Sequence, residues 1–296
     1  LPNWSDGSPT TFRPYDIALF DSLGAGQPFV DVVEHVQVSG VTVNAATDYW
    51  LMSSAQNGSL NGNAVLVKQG TGTLILDLPN NMVGGTLIQG GTLQLGNSTP
   101  NGNLSAGDVT NNATLAFTRS TPLTVSNAIS GTGQLTVMGI SDVVLTGSNS
   151  YSGATIVSGG VLHPRSPTAL GTGASGTTVH PGGQVYLDVN IDIPDESFAL
   201  SGTVPSALRK GGAGTSTLGG AITLTTDAAI EIDGGATLNL TSPAGISGAG
   251  MNLALAGDGL TAVGNITGPV NLGSGALVNA GGTWRLLSPV NNYSGR

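Results

Sequence analysis

The chain has 296 residues, of which 47 are glycine and only 8% are charged. Hydrophobic residues make up 39% and the net charge is −9, so the composition excludes a disordered chain, which lacks apolar side chains, and a nucleic-acid binder, which needs a basic surface. Cysteine is absent, which excludes disulfides and thiolate metal sites, and no run of about 18 apolar residues predicts a membrane-spanning helix.

Residues 1–60 are the aromatic-rich part of the chain. They contain Trp4, Phe12, Tyr15, Phe20, Phe29, Tyr49 and Trp50. The end of a stacked β-structure exposes an open core and an unpaired strand edge, and it needs to be covered. We therefore predict that residues 1–60 form an N-terminal cap or a first set of irregular coils.

Residues 61–296 consist of short runs in which apolar and polar side chains alternate, and helical periodicity is nearly absent. This alternation is typical of half-buried strands, and glycine-containing pairs separate the runs. The apolar positions of these runs include Leu74, Leu76 and Leu78; Leu93 and Leu95; Leu115 and Phe117; Leu135 and Val137; Ile222 and Leu224; Ile230 and Ile232; Leu238 and Leu240; and Leu253 and Leu255.

The spacing of similar strands indicates how they are arranged. Leu93, Leu115 and Leu135 open similar runs, and the steps between them are 22 and 20 residues. A period of that size predicts an all-β solenoid, a parallel β-helix of roughly 10 to 14 coils. A β-sandwich also gives short strands with frequent turns. The scarcity of aromatic residues and the recurring Gly-Gly-Thr-Leu units favour the solenoid.

The segment 185–196 is the most polar predicted strand. Tyr186, Asp188, Asn190 and Asp192 alternate with apolar residues, so three oxygen-bearing side chains share one face. Such side chains are ligands that Ca²⁺ prefers, and Asp188, Asn190 and Asp192 are a weak calcium candidate, beside the simpler interpretation of a solvated strand face. Residues 192–212 contain two prolines, and we interpret them as an irregular excursion, a loop or short helix that leaves the solenoid.

A longer unit recurs three times. It begins with Lys68, Gly70, Gly72, Thr73 and Leu74, and continues to the pair Asn80 and Gly84. The pair recurs as Asn149 and Gly153, and as Asn291 and Gly295. In the second copy Thr155 and Ile156 match the motif, although Ile156 stands one place early.

These motifs resemble the autotransporter-associated β-strand repeat, or passenger-associated transport repeat, of bacterial surface proteins. The segment that opens the chain, residues 2–9 and 16–21, resembles the region that precedes such repeats. The resemblance implies a right-handed parallel β-helix, extracellular display and export across an outer membrane. The unit at 284–296 is incomplete, so we expect the solenoid to continue beyond Arg296.

The recurring asparagines have two interpretations. Each amide can bond the backbone of a turn and stack on its counterparts, or it can contact a sugar together with Tyr151 or Tyr293. The structural interpretation is favoured.

No catalytic residue is predicted, because nucleophile and metalloprotease motifs are absent. The only acidic cluster, at 188–196 with Arg209 and Lys210 following, leaves a polysaccharide lyase or hydrolase as a minor alternative. The leading hypothesis is an extracellular, non-enzymatic rod without a cofactor, a stalk, filament or adhesin segment whose partners are other copies of itself or surface glycans. The alternatives are a carbohydrate-binding β-helix and an export-assisting region.

Overall fold

The computed structural model describes residues 13–24, 26 and 28–295, and it is an all-β solenoid. About 13 coils are stacked, and every strand pairs in parallel with the equivalent strand of a neighbouring coil. A single short 3-10 turn, Ser22–Gly24, is the helical content of the described residues, and none of their helices is long and apolar enough to cross a membrane. The predicted fold class and number of coils are confirmed, and the sandwich alternative is wrong.

Three sheet faces run along the stack, here called A, B and C, and each coil passes through B, C and A in that order. Face A contains thirteen strands: Phe29–Asp31, Tyr49–Met52, Thr73–Asp77, Thr92–Leu95, Thr114–Phe117, Gln134–Val137, Thr155–Val157, Thr177–Val179, Phe198–Gly202, the first half of Ile222–Ile232, Ile246–Ser247, Val270–Gly273 and Asn292–Tyr293.

Face B contains the first half of His35–Asn44, Ser59–Gly62, Asn80–Met82, Leu123–Val125, Asp142–Leu145, Gly160–Pro164, Gly183–Leu187, Leu208–Lys210, the second half of Ile222–Ile232, Leu253–Gly257 and Leu277–Asn279. Face C contains Asp16–Asp21, the second half of His35–Asn44, Val65–Gln69, Thr86–Ile88, Val109–Asn111, Ile129–Ser130, Asp192–Ile193, Gly214–Leu218, Ala236–Leu240, Val263–Ile266 and Thr283–Leu286.

The core is a set of apolar columns inside the stack. On face A the registered residues Leu74, Leu93, Leu115 and Leu135 lie directly above one another and are fully buried. The alternation of apolar and polar residues that predicted the strands therefore distinguishes side chains that point into the core from those that point outward. Because each side chain packs on its equivalent one coil away, the hydrophobic burial is shared between neighbouring coils.

The three copies of the repeat lie on three different faces. The strand that opens each copy is Thr73–Asp77 on face A, Asp142–Leu145 on face B and Thr283–Leu286 on face C. Registered residues on face A are 19 to 25 positions apart in sequence, as in the steps Leu76 to Leu95 and Leu51 to Leu76. Gly84 and Gly153 are 69 residues apart, and this distance corresponds to about three and a third coils. The same local unit therefore recurs rotated by about one third of a turn.

Residues 192–212 are not an excursion. They form the strands Asp192–Ile193, Phe198–Gly202 and Leu208–Lys210, each paired with its neighbouring coil. The two prolines lie in corners, Pro194 after the first strand and Pro205 in the turn at 203–206, so neither removes a strand hydrogen bond. The solenoid is continuous through this segment.

The N-terminal prediction is only partly within the described residues. Trp4, Phe12 and the whole of segment 2–9, which resembles a pre-repeat region, lie outside them. From Asp16 onward the chain already forms strands that stack on the next coil, and the rings of Phe20 and Tyr49 pack with their centroids 5.5 Å apart. This part consists of early coils, and the cap remains a prediction.

Candidate functional site

The repeat asparagine Asn149 connects three successive coils. Its Oδ1 accepts a hydrogen bond from the backbone N–H of Ile129 at 2.9 Å, and its Nδ2 donates to the carbonyl of Ala169 at 2.7 Å. The side chain is buried. The amide therefore satisfies backbone groups at corners where the strand pattern is interrupted.

Replacing Asn149 with alanine is expected to lower the free energy of unfolding by about 2–4 kcal/mol, because one N–H and one C=O in the interior lose their partner. Urea unfolding measures this. Asn190→Ala, at an exposed position in a neighbouring corner, is the control and should change stability by less than about 0.5 kcal/mol. Equal stability of the two variants would show that water replaces the amide.

The asparagines of the other two copies form related but not identical hydrogen bonds. Asn291 Oδ1 accepts from the N–H of Val270 at 2.9 Å, as Asn149 does with the preceding coil. Asn80 instead bonds the N–H of Met82 in its own turn, and Asn103 of the following coil holds the backbone of Asn80 through two hydrogen bonds. The predicted amide-to-backbone bonds are present, but the three asparagines do not stack on one another, because they lie on different sides of the solenoid.

The predicted aromatic partners also differ in exposure. Tyr151 is fully buried and donates or accepts a hydrogen bond with Thr155, so it is not available to a sugar, and Tyr293 is exposed. Met82 occupies the buried position that Tyr151 has in the second copy. Val157, rather than Ile156, takes the inward place of the second copy.

The glycines of the pair serve close packing between coils. A Cβ at Gly84 would lie 2.1 Å from the carbonyl oxygen of Ala64, and one at Gly153 would lie 2.2 Å from that of Gly133. At Gly295 the nearest atom is the backbone nitrogen of Ala276 at 2.5 Å. Glycine is required here by the approach of the neighbouring backbone rather than by a positive φ.

Lysine side chains fill two corners of the solenoid. The Nζ of Lys68 donates to the carbonyls of Gln69 at 2.6 Å, Gly70 at 3.1 Å and Gly90 at 3.0 Å. Although Lys68 has only 1% of its surface exposed, its charge is solvated by these oxygens. Burial lowers the pKa of Lys68, and the charge of Asp48 partly opposes this.

Lys210 repeats this arrangement at another corner. Its Nζ donates to the carbonyl of Gly211 at 2.6 Å and approaches those of Gly212 and Val189 at 3.5 and 3.4 Å. This corner was not predicted, although the spacing of Lys210, Gly212 and Gly214 matches that of Lys68, Gly70 and Gly72. We call these two sites the lysine corners.

A charged face lies on the outside of face B. Within the described part of the chain, both arginine–carboxylate ion pairs and the two contacts of His163 with carboxylates are here. It consists of Asp142, His163, Arg165, Tyr186, Asp188, Arg209, Glu231 and Asp233. These residues come from five successive coils, and the repeated spacing of 23 between His163, Tyr186 and Arg209 is the sequence signal that would have found them.

On this face, the carboxylates that pair with an arginine do so with a residue of a neighbouring coil. Arg165 donates to both oxygens of Asp188, and His163 Nδ1 lies 3.1 Å from Asp188. Arg209 Nε donates to Asp233 at 2.8 Å. Burial alone would raise the pKa of Asp188, but Arg165 and His163 outweigh it and hold the pKa below its ordinary value.

Tyr186 lies in the middle of this face and is only half-buried. Its ring packs 5.3 Å from that of His163, the Arg209 guanidinium lies 5.1 Å from its centroid, and its hydroxyl donates to Asp233. Burial and the charge of Asp233 raise the pKa of Tyr186. The ring is therefore held between two neighbours, which suits cross-linking of coils better than stacking on a sugar.

The calcium candidate runs from a corner into the following strand, since Asp188 and Asn190 lie between the two strands and only Asp192 lies within one. The segment 185–196 is broken by a corner, with Gly183–Leu187 on face B and Asp192–Ile193 on face C, because the apolar Ile191 and Ile193 turn inward. Asp188 is bound to Arg165, whereas Asn190 and Asp192 are exposed. Among the described residues no three His, Cys, Asp or Glu side chains gather as metal ligands. The prediction that these three side chains share one strand face is wrong. Calcium binding at this segment remains a prediction.

Two segments, residues 66–95 and 130–163, match the family model of the passenger-associated-transport-repeat. The resemblance seen in the sequence is confirmed. A curated relative, an adhesin autotransporter (BmaC) of Brucella suis biovar 1, is 38% identical over 91 residues. That match covers 31% of this chain and only 2% of the relative. No solved structure matches this chain. With the solenoid fold, these similarities support a passenger domain of a bacterial surface protein.

Proposed function

We propose that this chain is a non-enzymatic, extracellular rod, a stalk or adhesin segment of a surface or secreted passenger protein. The observation that carries the proposal is the unbroken ladder of thirteen parallel strands on face A. At about 4.8 Å per strand it makes a stack roughly 60 Å long. A stack of this kind transmits force through interstrand hydrogen bonds and needs no disulfide.

The bonds between coils support a mechanical role. Asn149, the lysine corners and the charged face all connect residues of neighbouring coils rather than enclosing a cleft. A glycosidase would need a carboxyl group that is both accessible to substrate and raised in pKa to serve as acid. The pKa of Asp188 is lowered, and Glu196, whose pKa is raised, has only 3% of its surface exposed and lies inside the stack. Arg209 is paired with Asp233, and Lys210 is directed inward, so neither suits a lyase base.

Deleting one whole coil tests the spacer function. Residues 115–134 run from Leu115 to the position before its registered equivalent, Leu135. Their removal should leave a folded solenoid one strand spacing shorter, about 4.8 Å, because every remaining coil still finds an equivalent neighbour.

Deleting only residues 115–124 is the control. That change rotates the following coils out of register, and we expect a large loss of thermal stability and of surface display when both variants are fused to an exported passenger. Equal tolerance of the two deletions would contradict the rod.

We propose that the chain binds other copies of itself through lateral packing of the weakly charged outer side of face A, away from the charged face on face B. Analytical ultracentrifugation of the purified chain should then show mass increasing with concentration, and electron microscopy should show bundled or extended particles. A monomer at all concentrations would exclude assembly and leave a stalk or adhesin segment, whose glycan partners a polysaccharide-binding screen would test.

A further inference from the structure

A polar column crosses the apolar interior near the middle of the solenoid. On face A, Thr155 and Thr177 replace the leucines of the inward column and lie in register. Tyr151 bonds Thr155 through their hydroxyls at 2.7 Å, and Thr177 Oγ1 donates to Glu196 Oε1 at 2.6 Å. All of these side chains are at most 3% exposed. Glu196 is thus a carboxyl group inside the stack.

Among the residues that the structure describes, no cation offsets the charge of Glu196. From the preceding coils it is faced by Thr177 and by Tyr151, whose pKa it helps to raise, and within the described ranges no ion pair reaches it. On its own segment Asp195 is exposed, and the next coil brings Gly219 and Gly220, which have no side chain. An isolated carboxylate is costly in such surroundings, whereas a neutral carboxylic acid is not.

We propose that Glu196 is a pH-sensitive switch that keeps the coils around residues 149–202 closed while its carboxyl is protonated and loosens them when it ionises. The switch acts locally, because in a solenoid each coil is stabilised mainly by its two neighbours. It is independent of the rod function, since a rigid spacer does not require an ionisable group in its interior.

The sign of the pH dependence follows from the burial. Burial raises the pKa of Glu196 to about 7, against the hydrogen bond from Thr177, which lowers it. Its ordinary value is 4.5, so the unfolded or opened segment loses the proton first as pH rises. The stability is therefore fully present below the ordinary value, decreases as pH rises toward 7, and stays low above it. Asp188 has a lowered pKa, so its contribution to stability has the opposite pH dependence and is lost as the pH falls into the acid range.

Hydrogen exchange at amides, followed by mass spectrometry from about pH 5.5 to about pH 8.5 and corrected for the intrinsic exchange rate, tests the switch. In the full chain, peptides from residues 149–157, 176–180 and 196–202 should lose protection by a factor on the order of 30 across this range. Peptides from residues 253–273 should not change.

Glu196→Gln is the decisive variant, because glutamine mimics the neutral acid in shape and charge. It should fold, remove the pH dependence of the three peptides and hold them closed at alkaline pH. Infrared spectroscopy gives a second readout, since the band of a protonated carboxylic acid present near neutral pH should disappear in the variant. The same pH profile in both proteins, or no such band in the original chain, would overturn the proposal.

Discussion

Replacing Lys68 with methionine is expected to lower the free energy of unfolding by about 2–4 kcal/mol. Methionine fills a similar volume, but it cannot donate a hydrogen bond. The carbonyl oxygens of Gly70 and Gly90, which lie outside the strands, would lose the buried ammonium group that bonds them. Chemical denaturation, with hydrogen exchange of the coils between residues 66 and 93, measures the effect.

Gln69→Met is the matched control. Gln69 is the next residue of the same strand and points outward, where its amide bonds Gln89 in solvent. We expect its loss to change stability by less than about 0.5 kcal/mol. Lys210→Met should behave like Lys68→Met, because both ammonium groups bond the carbonyl of the next residue at 2.6 Å. If the lysine variants match the control, the carbonyls find other donors and the lysine corners are not important for stability.

Replacing Gly153 with alanine is expected to destabilise the protein by about 1–3 kcal/mol or more, as overpacked sites do. The new Cβ would be placed 2.2 Å from the carbonyl oxygen and 2.4 Å from the carbonyl carbon of Gly133, and both are backbone atoms that cannot rotate away. The coils must separate locally, which weakens the hydrogen bonds on both sides. Thermal unfolding should show a lower midpoint.

Gly40→Ala is the control for Gly153→Ala. Gly40 lies within the strand His35–Asn44, and a Cβ there would be 3.6 Å from the nearest atom, which is ordinary contact. Alanine should be neutral or slightly stabilising at this position, because it restricts the unfolded chain. Equal midpoints for the two variants would mean that the stack adjusts to the extra methyl at Gly153, and that the repeat glycine has another purpose.

The strands were predictable because their signal is local. Alternation at Leu74, Leu76 and Leu93 specifies which side chains turn inward, and this depends only on the pleat of each strand. The steps from Leu93 to Leu115 and Leu135 also predicted the true register, because coils of nearly equal length place equivalent residues above one another. The bonds of Asn149 to the backbone followed from the chemistry of an amide in a turn.

The excursion predicted at residues 192–212 shows where local signals mislead. Pro194 and Pro205 mark irregular backbone wherever they occur, but their sequence positions do not reveal that both fall in corners between paired strands. The calcium candidate failed as a single strand for a related reason. Alternation continues through the corner after Leu187, so the sequence does not show that Asp188 begins a corner whereas Asp192 lies in the next strand, on face C.

The amino-acid sequence by itself determined the all-β solenoid, its period and the use of asparagine amides to bond backbone at its corners, because these depend on local pattern and on the chemistry of the residue. The lysine corners were not predicted. The tertiary structure alone decided which residues meet one coil away. The distance between repeat copies is not a whole number of coils, so the copies that begin near Leu74, Val143 and Trp284 occupy three different faces. The same stacking encloses Glu196 beside Thr177 and brings Arg165 to Asp188, contacts that no local pattern specifies.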